Sequence, residues 1–478
     1  VEKVRHTNKK IVHLLTGLFL SPIKSFSILA GVFGFLIIIL APPLTGLDEE
    51  AHFVRAYGIA NGDFRLYDTD KVSIPQSFRK TIGCFQTKTS EPGAMYKFNY
   101  ANYGVDKRVS YKCALALPLQ SGDTELVRTT AAPYSPTSYI PQAIAIVLGK
   151  LLNVPIIIML YMVRLSVLVA YLAMIAYAIK LLPVRKWALA GIALLPTPLM
   201  GLTNPGGDYL LFGLIAIVVA IVIRSIYIEK QALAKESNTL MAVLAVAAIL
   251  MVLPKGIFPG VCILPLVVFY GSLGHRKAKK FAILFVALAV GLCWQKFGIN
   301  LNLGNVGVAL NSPLDFPRVF VETMFNRWTQ TDFIYTGDGI DSVTISGSSI
   351  GMPALIITII NILFAVYVFV AYPEKPKIQI AKRQVTAFVY TGILCALAVI
   401  AGSFAALFIG GSALQTASES IRGVQTRYFY PGFFILAALP FSRIVFVKRE
   451  DQMAKIVVIG STICLTATTT VSIIAFHW

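Results

Sequence analysis

Residues 137–152 read TSYIPQAIAIVLGKLL, and whether this stretch crosses a membrane decides the topology of everything after it. The chain around it is of one kind. Over 478 residues, 56% are hydrophobic, only 14% are charged and the mean hydropathy is +0.72. A soluble chain carries about 25% charged residues, so the composition excludes a disordered protein, a fibrous protein and an ordinary cytosolic enzyme. Apolar runs of about 17–25 residues, each long enough to cross a bilayer as a helix, recur along most of the sequence. The chain reads as a polytopic membrane protein.

The parity of the stretch is settled by charge. Lys and Arg number 42 against 23 Asp and Glu, a formal net charge of +19. The excess is concentrated in short segments: the N-terminus (Lys3, Arg5, Lys9, Lys10, Lys24), Lys180–Lys186, Arg224–Glu236, Arg276–Lys280, Glu374–Arg383 and Arg443–Lys455. These hold 23 of the Lys and Arg but only 6 of the Asp and Glu. Cationic short loops lie on the cytoplasmic side of a membrane. The excess therefore reports orientation, and nucleic acid is not a partner. If 137–152 crossed, every later basic loop would fall outside. A short, Pro-bearing apolar segment instead lies in the interface, and then every basic segment falls inside.

With that choice, about eleven spans are expected, at 25–41, 155–179, 187–203, 207–224, 238–254, 256–272, 281–297, 349–371, 385–410, 428–446 and 456–476. The first follows a basic N-terminus without a small-residue cleavage site, so it reads as a retained span. The whole chain, 1–478, forms one all-α membrane domain. Two large outer loops emerge, 42–154 and 298–348. There is no separable soluble domain, so any chemistry must be built from these loops and the helix ends.

Polar residues collect at the outer ends of the spans. Asp48-Glu49-Glu50 and then His52 and Arg55 follow the first span; on a helix, Asp48, His52 and Arg55 share one face. Tyr134, Tyr139 and Gln142 flank the interfacial segment, Asn204 and Asp208 occupy one turn, Lys255 another, and Gln425, Arg427 and Tyr428 precede the tenth span. Arg164 lies inside the second span, where an ionisable group is costly. Carboxylates and cations at one membrane level suit an anionic, lipid-borne substrate. Simpler roles compete. The acidic run also suits the positive end of a helix dipole, Lys255 and Arg427 also suit headgroup contact, and Arg164 also suits a buried pair with Asp208 or Glu49. Gly206-Gly207 reads as a tight turn rather than a phosphate cradle.

Other chemistries drop out. Of five histidines only His52 lies near the acidic cluster, and no H-E-x-x-H, C-x-x-C, G-x-S-x-G or Walker pattern is present. Cys262, Cys293, Cys395 and Cys464 lie in spans as small apolar fillers. Cys84 and Cys113 share the first outer loop, an oxidising location where a disulfide is expected.

On these residues the sequence resembles a family of bacterial polytopic membrane proteins long catalogued as a domain of unknown function, which is similar to the GT-C superfamily of glycosyltransferases. The resemblance runs in order through Pro42-Pro43, Asp48-Glu49, His52-Phe53, Arg55-Ala56, Tyr134-Ser135-Pro136, Tyr139, Gln142, Arg164-Leu165, Asp208, Lys255 and Gln425-Thr426-Arg427-Tyr428-Phe429 with Pro431. It departs at Thr426, where the family usually has Gly, and at Leu47, where Pro is common. The resemblance implies a GT-C-like bundle with interfacial helices in a large first extracytoplasmic loop. It also implies a bacterial cytoplasmic (inner) membrane location, with the active site facing the periplasm or cell exterior. The implied donor is a polyprenyl-phosphate sugar, and the implied acceptor is a glycan or glycolipid such as O-antigen or another surface polysaccharide.

The resemblance makes Asp48, with Glu49 beside it, the catalytic carboxylate. His52, Arg55, Tyr139, Arg164, Asp208, Lys255, Gln425, Arg427 and Tyr428 are the expected substrate-binding residues, with Arg55, Lys255 and Arg427 candidates for the lipid phosphate. A divalent metal is compatible with this scheme but not required, because cations can do its electrostatic work. The competing expectation is a transporter or flippase of a lipid-linked glycan, whose coupling-ion sites would sit on broken helices at the bilayer midplane. A non-catalytic assembly partner is the third.

Overall fold

The computed structural model describes residues 21–44, 48–66, 70–85, 107–119, 124–227, 230–254, 258–270, 277–294, 382–409 and 428–440, with isolated positions at 321 and between 459 and 474. The expected outer loop at 298–348 (position 321 apart), the expected span at 349–371 and the site residues Lys255, Gln425 and Arg427 lie outside the described residues.

Helix α1 (Pro22–Leu40) is the first span. Its Ile28, Val32, Phe35, Leu36 and Ile39 are exposed, at spacings that make one stripe. Phe26, Leu29, Ile37 and Ile38 face the protein. Next come α2 (Glu49–Ala60), strand β1 (Lys71–Pro75), α3 (Gln76–Phe85), α4 (Lys107–Ala116) and strand β2 (Thr124–Arg128). The two strands form an antiparallel ladder, Lys71 opposite Arg128 and Pro75 opposite Thr124. This small sheet is absent from the all-α expectation. Cys84 on α3 and Cys113 on α4 are joined in a disulfide.

A 3-10 turn (Pro136–Tyr139) leads into α5 (Ile140–Leu151), the stretch on which the topology turns. Its 12 residues reach about 18 Å, short of a hydrocarbon core of about 30 Å. Ile140, Ile144, Val147, Leu148 and Leu151 are exposed along one side, while Gln142, Ala145, Ile146 and Gly149 are buried on the other. That is the pattern of a helix lying on an apolar surface.

Helix α6 (Ile156–Leu181) is long enough to span, as are α9 (Asp208–Tyr227) and the 385–402 portion of α13 (Lys382–Ile409). Between α6 and α9 the expected third span is broken into α7 (Lys186–Ala193), α8 (Pro196–Met200) and a 3-10 turn (Gly201–Thr203). Pro196 and Pro198 lack the N–H groups a continuous helix would need. Tyr171 of α6 donates its hydroxyl to the Ala193 carbonyl freed at the break, 2.8 Å away. Helices α10 (Lys230–Met251), α11 (Phe258–Tyr270), α12 (Lys277–Cys293) and α14 (Tyr430–Ala438) complete the described set. Helix α9 is central: nearly all of its apolar length is buried, whereas α1 is exposed along much of its own. It packs on α6, α10, α11 and α14.

Two apolar cores share α6. Its N-terminal residues Ile156, Met159, Leu160 and Val163 join α2, β1, α3 and α5, whereas Val167, Leu168, Tyr171 and Ile175 join α1, α7 and α9. Arg164 stands at the seam.

Candidate functional site

The site is built where α1 ends and α2 begins. A helix ends with carbonyls that have no intrahelical partner, and here Arg164 supplies donors at the end of α1 and just past it. Its Nη1 donates to the Ile38 and Ala41 carbonyls at 3.1 and 2.7 Å, and its Nη2 to the Pro42 carbonyl at 2.8 Å. Nε and Nη2 also donate to the two carboxylate oxygens of Glu49, each at 2.7 Å. A guanidinium has five N–H donors, and all five are used. Both side chains are fully buried. Of the two partners expected for Arg164, the structure selects Glu49.

Glu49 is the first residue of α2, where a carboxylate also meets the positive end of the helix dipole. Asp48, one residue earlier, is exposed. Its backbone is left-handed, φ 60° and ψ 14°, and its side chain makes no capping hydrogen bond. A capping side chain needs an extended backbone to reach back to the helix N–H groups, and Asp48 does not have one. The acidic run is thus divided three ways: Glu49 inward to Arg164, Asp48 outward, and Glu50 half-buried. Burial pushes the Glu50 carboxyl up, and the nearby Arg79 guanidinium pulls it part of the way back.

His52 and Arg55, one and two turns along, are both buried. Nδ1 of His52 lies 2.7 Å from the Tyr139 hydroxyl, and Tyr134 and Tyr139 flank the imidazole ring. Burial, chiefly, keeps the Tyr139 phenol protonated well above its usual range, with Tyr134, Asp208 and Tyr209 acting in the same sense and Arg55 against it. Arg55 donates to the carbonyls of Asp63, Phe64 and Tyr134 at 2.8, 2.8 and 3.2 Å. Desolvation lowers its pKa, while Tyr139 and Asp63 raise it. Arg55 therefore ties the end of α2 to the Tyr134 turn.

The turn Asn204-Pro205-Gly206-Gly207-Asp208 closes the other side. The Gly206 N–H donates to Asn204 Oδ1 at 3.0 Å. Gln142 donates from Nε2 to the Pro205 carbonyl at 2.9 Å, and the Tyr209 hydroxyl lies 3.1 Å from its Oε1. A methyl group on Gly206 would stand 3.0 Å from His52 Nε2, and one on Gly207 would stand 3.0 Å from Ser138 Oγ. Small residues are required at both points for the turn to close on α2 and the 3-10 turn. Pro254, the residue before Lys255, also touches the Gly207 position. Among the described residues, Ser138 Oγ is buried with no hydrogen-bond partner.

The structure thus gathers His52, Tyr139, Gln142, Asn204 and Asp208 around one turn, with Glu49 and Arg164 beneath Asp48. Tyr428 opens the α14 region, and Tyr430 two residues later packs on Phe212, one turn into α9, at 6.0 Å between rings. Sequence reasoning missed Ser138 and Tyr209; the latter, directly after Asp208, reads only as the first apolar residue of a span. Among the described residues, no three His, Cys, Asp or Glu side chains converge as a metal site requires.

These features define an α-helical membrane protein with a polar cluster where its first span meets a folded loop. The chain belongs to the family of predicted membrane proteins designated DUF2142, whose model matches residues 32–468. No curated protein and no solved structure is significantly similar to it.

Proposed function

We propose that the chain is a GT-C-like membrane glycosyltransferase of about eleven spans, with the Asp48 end of the bundle facing the extracytoplasmic side. It moves a sugar from a polyprenyl-phosphate donor to a surface polysaccharide or glycolipid acceptor. The carrying observation is Asp48 itself, an exposed carboxylate on a left-handed backbone. Such conformations cost energy in a residue with a side chain and cluster at functional sites.

In this reading Asp48 is the general base. The acceptor hydroxyl oxygen attacks the anomeric carbon and a new C–O bond forms. The bond from that carbon to the phosphate oxygen breaks, and its electron pair leaves with the polyprenyl phosphate. The hydroxyl proton passes to Asp48, and a single displacement inverts the anomeric centre. Fixed cations stabilise the leaving phosphate; Lys255 and Arg427 are assigned this role, because Arg55 and Arg164 are fully buried and spend four and five of their five donors on backbone and Glu49. Glu49 fixes the position of Asp48 rather than taking the proton. The cluster of His52, Tyr139, Gln142 and Asp208 forms the wall behind the sugar.

Incubation of the purified protein with a polyprenyl-phosphate sugar and a cell-surface glycan tests the reading. Release of polyprenyl phosphate with elongation of the glycan is expected. Movement of the lipid-linked sugar between leaflets without release would replace the enzyme with a flippase, and neither outcome would leave an assembly partner.

A further inference from the structure

Strands β1 and β2 make a sheet of two strands, so each has an outer edge whose backbone groups the ladder leaves over. The phase of the ladder fixes which groups these are. The Thr129 N–H donates to the Asp70 carbonyl at 2.8 Å, and hydrogen-bonded pairs alternate with unbonded ones along an antiparallel ladder. Val127 with Val72 and Glu125 with Ile74 are therefore bonded pairs. Arg128 with Lys71, Leu126 with Ser73 and Thr124 with Pro75 are the others, and these residues turn their backbone polar groups outward. Pro75, which has no N–H to donate, falls in the outward set, and the outward Ser73 carbonyl accepts from Asn61 Nδ2 at 3.1 Å. The β1 edge is thus closed by a proline and by the residue that follows α2. The β2 edge has neither device. Thr124, Leu126 and Arg128 are exposed, Leu126 at 67%, and among the described residues their outward N–H and C=O groups have no partner.

We propose that this edge takes an extended segment of a partner protein as a third, antiparallel strand, with an acidic side chain beside Arg128 and an apolar one beside Leu126. The interaction is separate from the transfer reaction and does not depend on it. In strand addition the main-chain bonds give affinity and the alternate side chains give specificity. Here charge selects the occupant. Lys71 and Arg128 stand directly opposite each other on the exposed face of the ribbon, and like charges so placed repel. Asp70 bonds Arg128 Nε at 2.5 Å, which sets one carboxylate against two cations. A third strand places a side chain on the same face, on the far side of Arg128 from Lys71, where a carboxylate completes the balance. Two residues along, an apolar side chain covers Leu126. A second copy of β2, added antiparallel about Leu126, would bring Thr124 to Arg128 and supply no carboxylate, so the partner is a different chain.

The test uses the full-length protein in nanodiscs. The probe is a short, fluorescent, end-capped peptide of threonine and valine with one glutamate two residues before its central valine. Saturable binding is expected, with slower deuterium exchange at the outward amides of Leu126 and Arg128 and no change at Val127, which the ladder already holds. Replacing the glutamate of the peptide by lysine should weaken binding at least tenfold. Leu126→Pro removes one outward N–H, takes no bond from the ladder and should weaken binding as much, with an intact Cys84–Cys113 disulfide and an unchanged melting temperature to show that it folds. No binding, equal binding of the lysine peptide, or full binding by Leu126→Pro would overturn the proposal. So would protection of the Leu126 amide before peptide is added, because another part of the chain or a second copy would then hold the edge.

Discussion

Arg164 and Glu49, 115 residues apart in the chain, meet through two hydrogen bonds of 2.7 Å in a setting that excludes water from both side chains. Breaking a buried pair by removing one partner leaves an uncompensated charge and costs about 3–5 kcal/mol. Glu49→Gln is expected to fall in that range. Arg164→Lys should cost nearly as much, since an ammonium has three donors for five acceptors. Unfolding in graded denaturing detergent measures both, and Glu49→Gln combined with Arg164→Met should lose less than the sum of the single changes.

Asp48 carries the opposite expectation. Asp48→Asn should reduce transfer by about 10²- to 10⁴-fold, the contribution of a general base, with expression and detergent stability unchanged. Asp48→Gly removes the side chain from a left-handed position and should raise stability by up to about 1 kcal/mol while abolishing transfer. A stable, fully active Asp48→Asn protein would end the assignment of Asp48 as the base.

Glu50 sets a pH dependence. Its unfolded carboxyl titrates near 4.5, and in the folded protein burial moves it higher. Below 4.5 the group is neutral in both states and stability is greatest. As pH rises through the raised value, the folded state must ionise a half-buried carboxyl, and stability falls. Glu50→Gln should match the wild type below pH 4.5 and exceed its melting temperature at pH 7 and above, as thermal scans across that range would show.

Gly206→Ala tests the closure of the site. The added methyl stands 3.0 Å from Nε2 of a ring whose other nitrogen is held by Tyr139. Relief requires moving His52 or the turn, at an expected cost of about 1–3 kcal/mol. Transfer should fall several-fold, with the loss tracking His52→Ala.

The disulfide reports the side of the membrane. Cys84 and Cys113 close a separation of 29 residues, for which chain entropy gives about 3–4 kcal/mol. In intact cells these thiols should resist alkylation until a reductant is added. Free thiols in untreated cells would place the loop on the reducing side and reverse the proposed orientation.

Much of the architecture was legible because length and charge are local properties. The shortness of 137–152, its Pro141 and the basic loops after it argued against a crossing, and a 12-residue helix over 140–151 with one exposed apolar side is what the structure has. The break in the third span was not read: 187–203 is apolar throughout, and its hydropathy does not show that the helix stops before Pro196 and Pro198. The pairing of Lys71–Pro75 with Thr124–Arg128 joins segments far apart in sequence, and no local pattern in either names its partner. The acidic run shows the same limit. Composition marks Asp48, Glu49 and Glu50 alike, and only the placement of Arg164 separates a fold-holding carboxylate from an outward one. Arg55 reads as a cation for an anion but spends its donors on Asp63, Phe64 and Tyr134.

Helix α6 belongs to two cores, divided at Arg164. Cooperative units in proteins open separately, with free energies that follow local packing. One uninterrupted rod of 26 residues is therefore expected to be shared between two units that open separately. Deuterium uptake along it should change at residue 164, the stretch before it exchanging in step with the Asp48 loop and the stretch after it in step with the bundle. A signal from loop to bundle has that side chain's five bonds as one route, beside the Gln142–Pro205 and Tyr209–Gln142 hydrogen bonds.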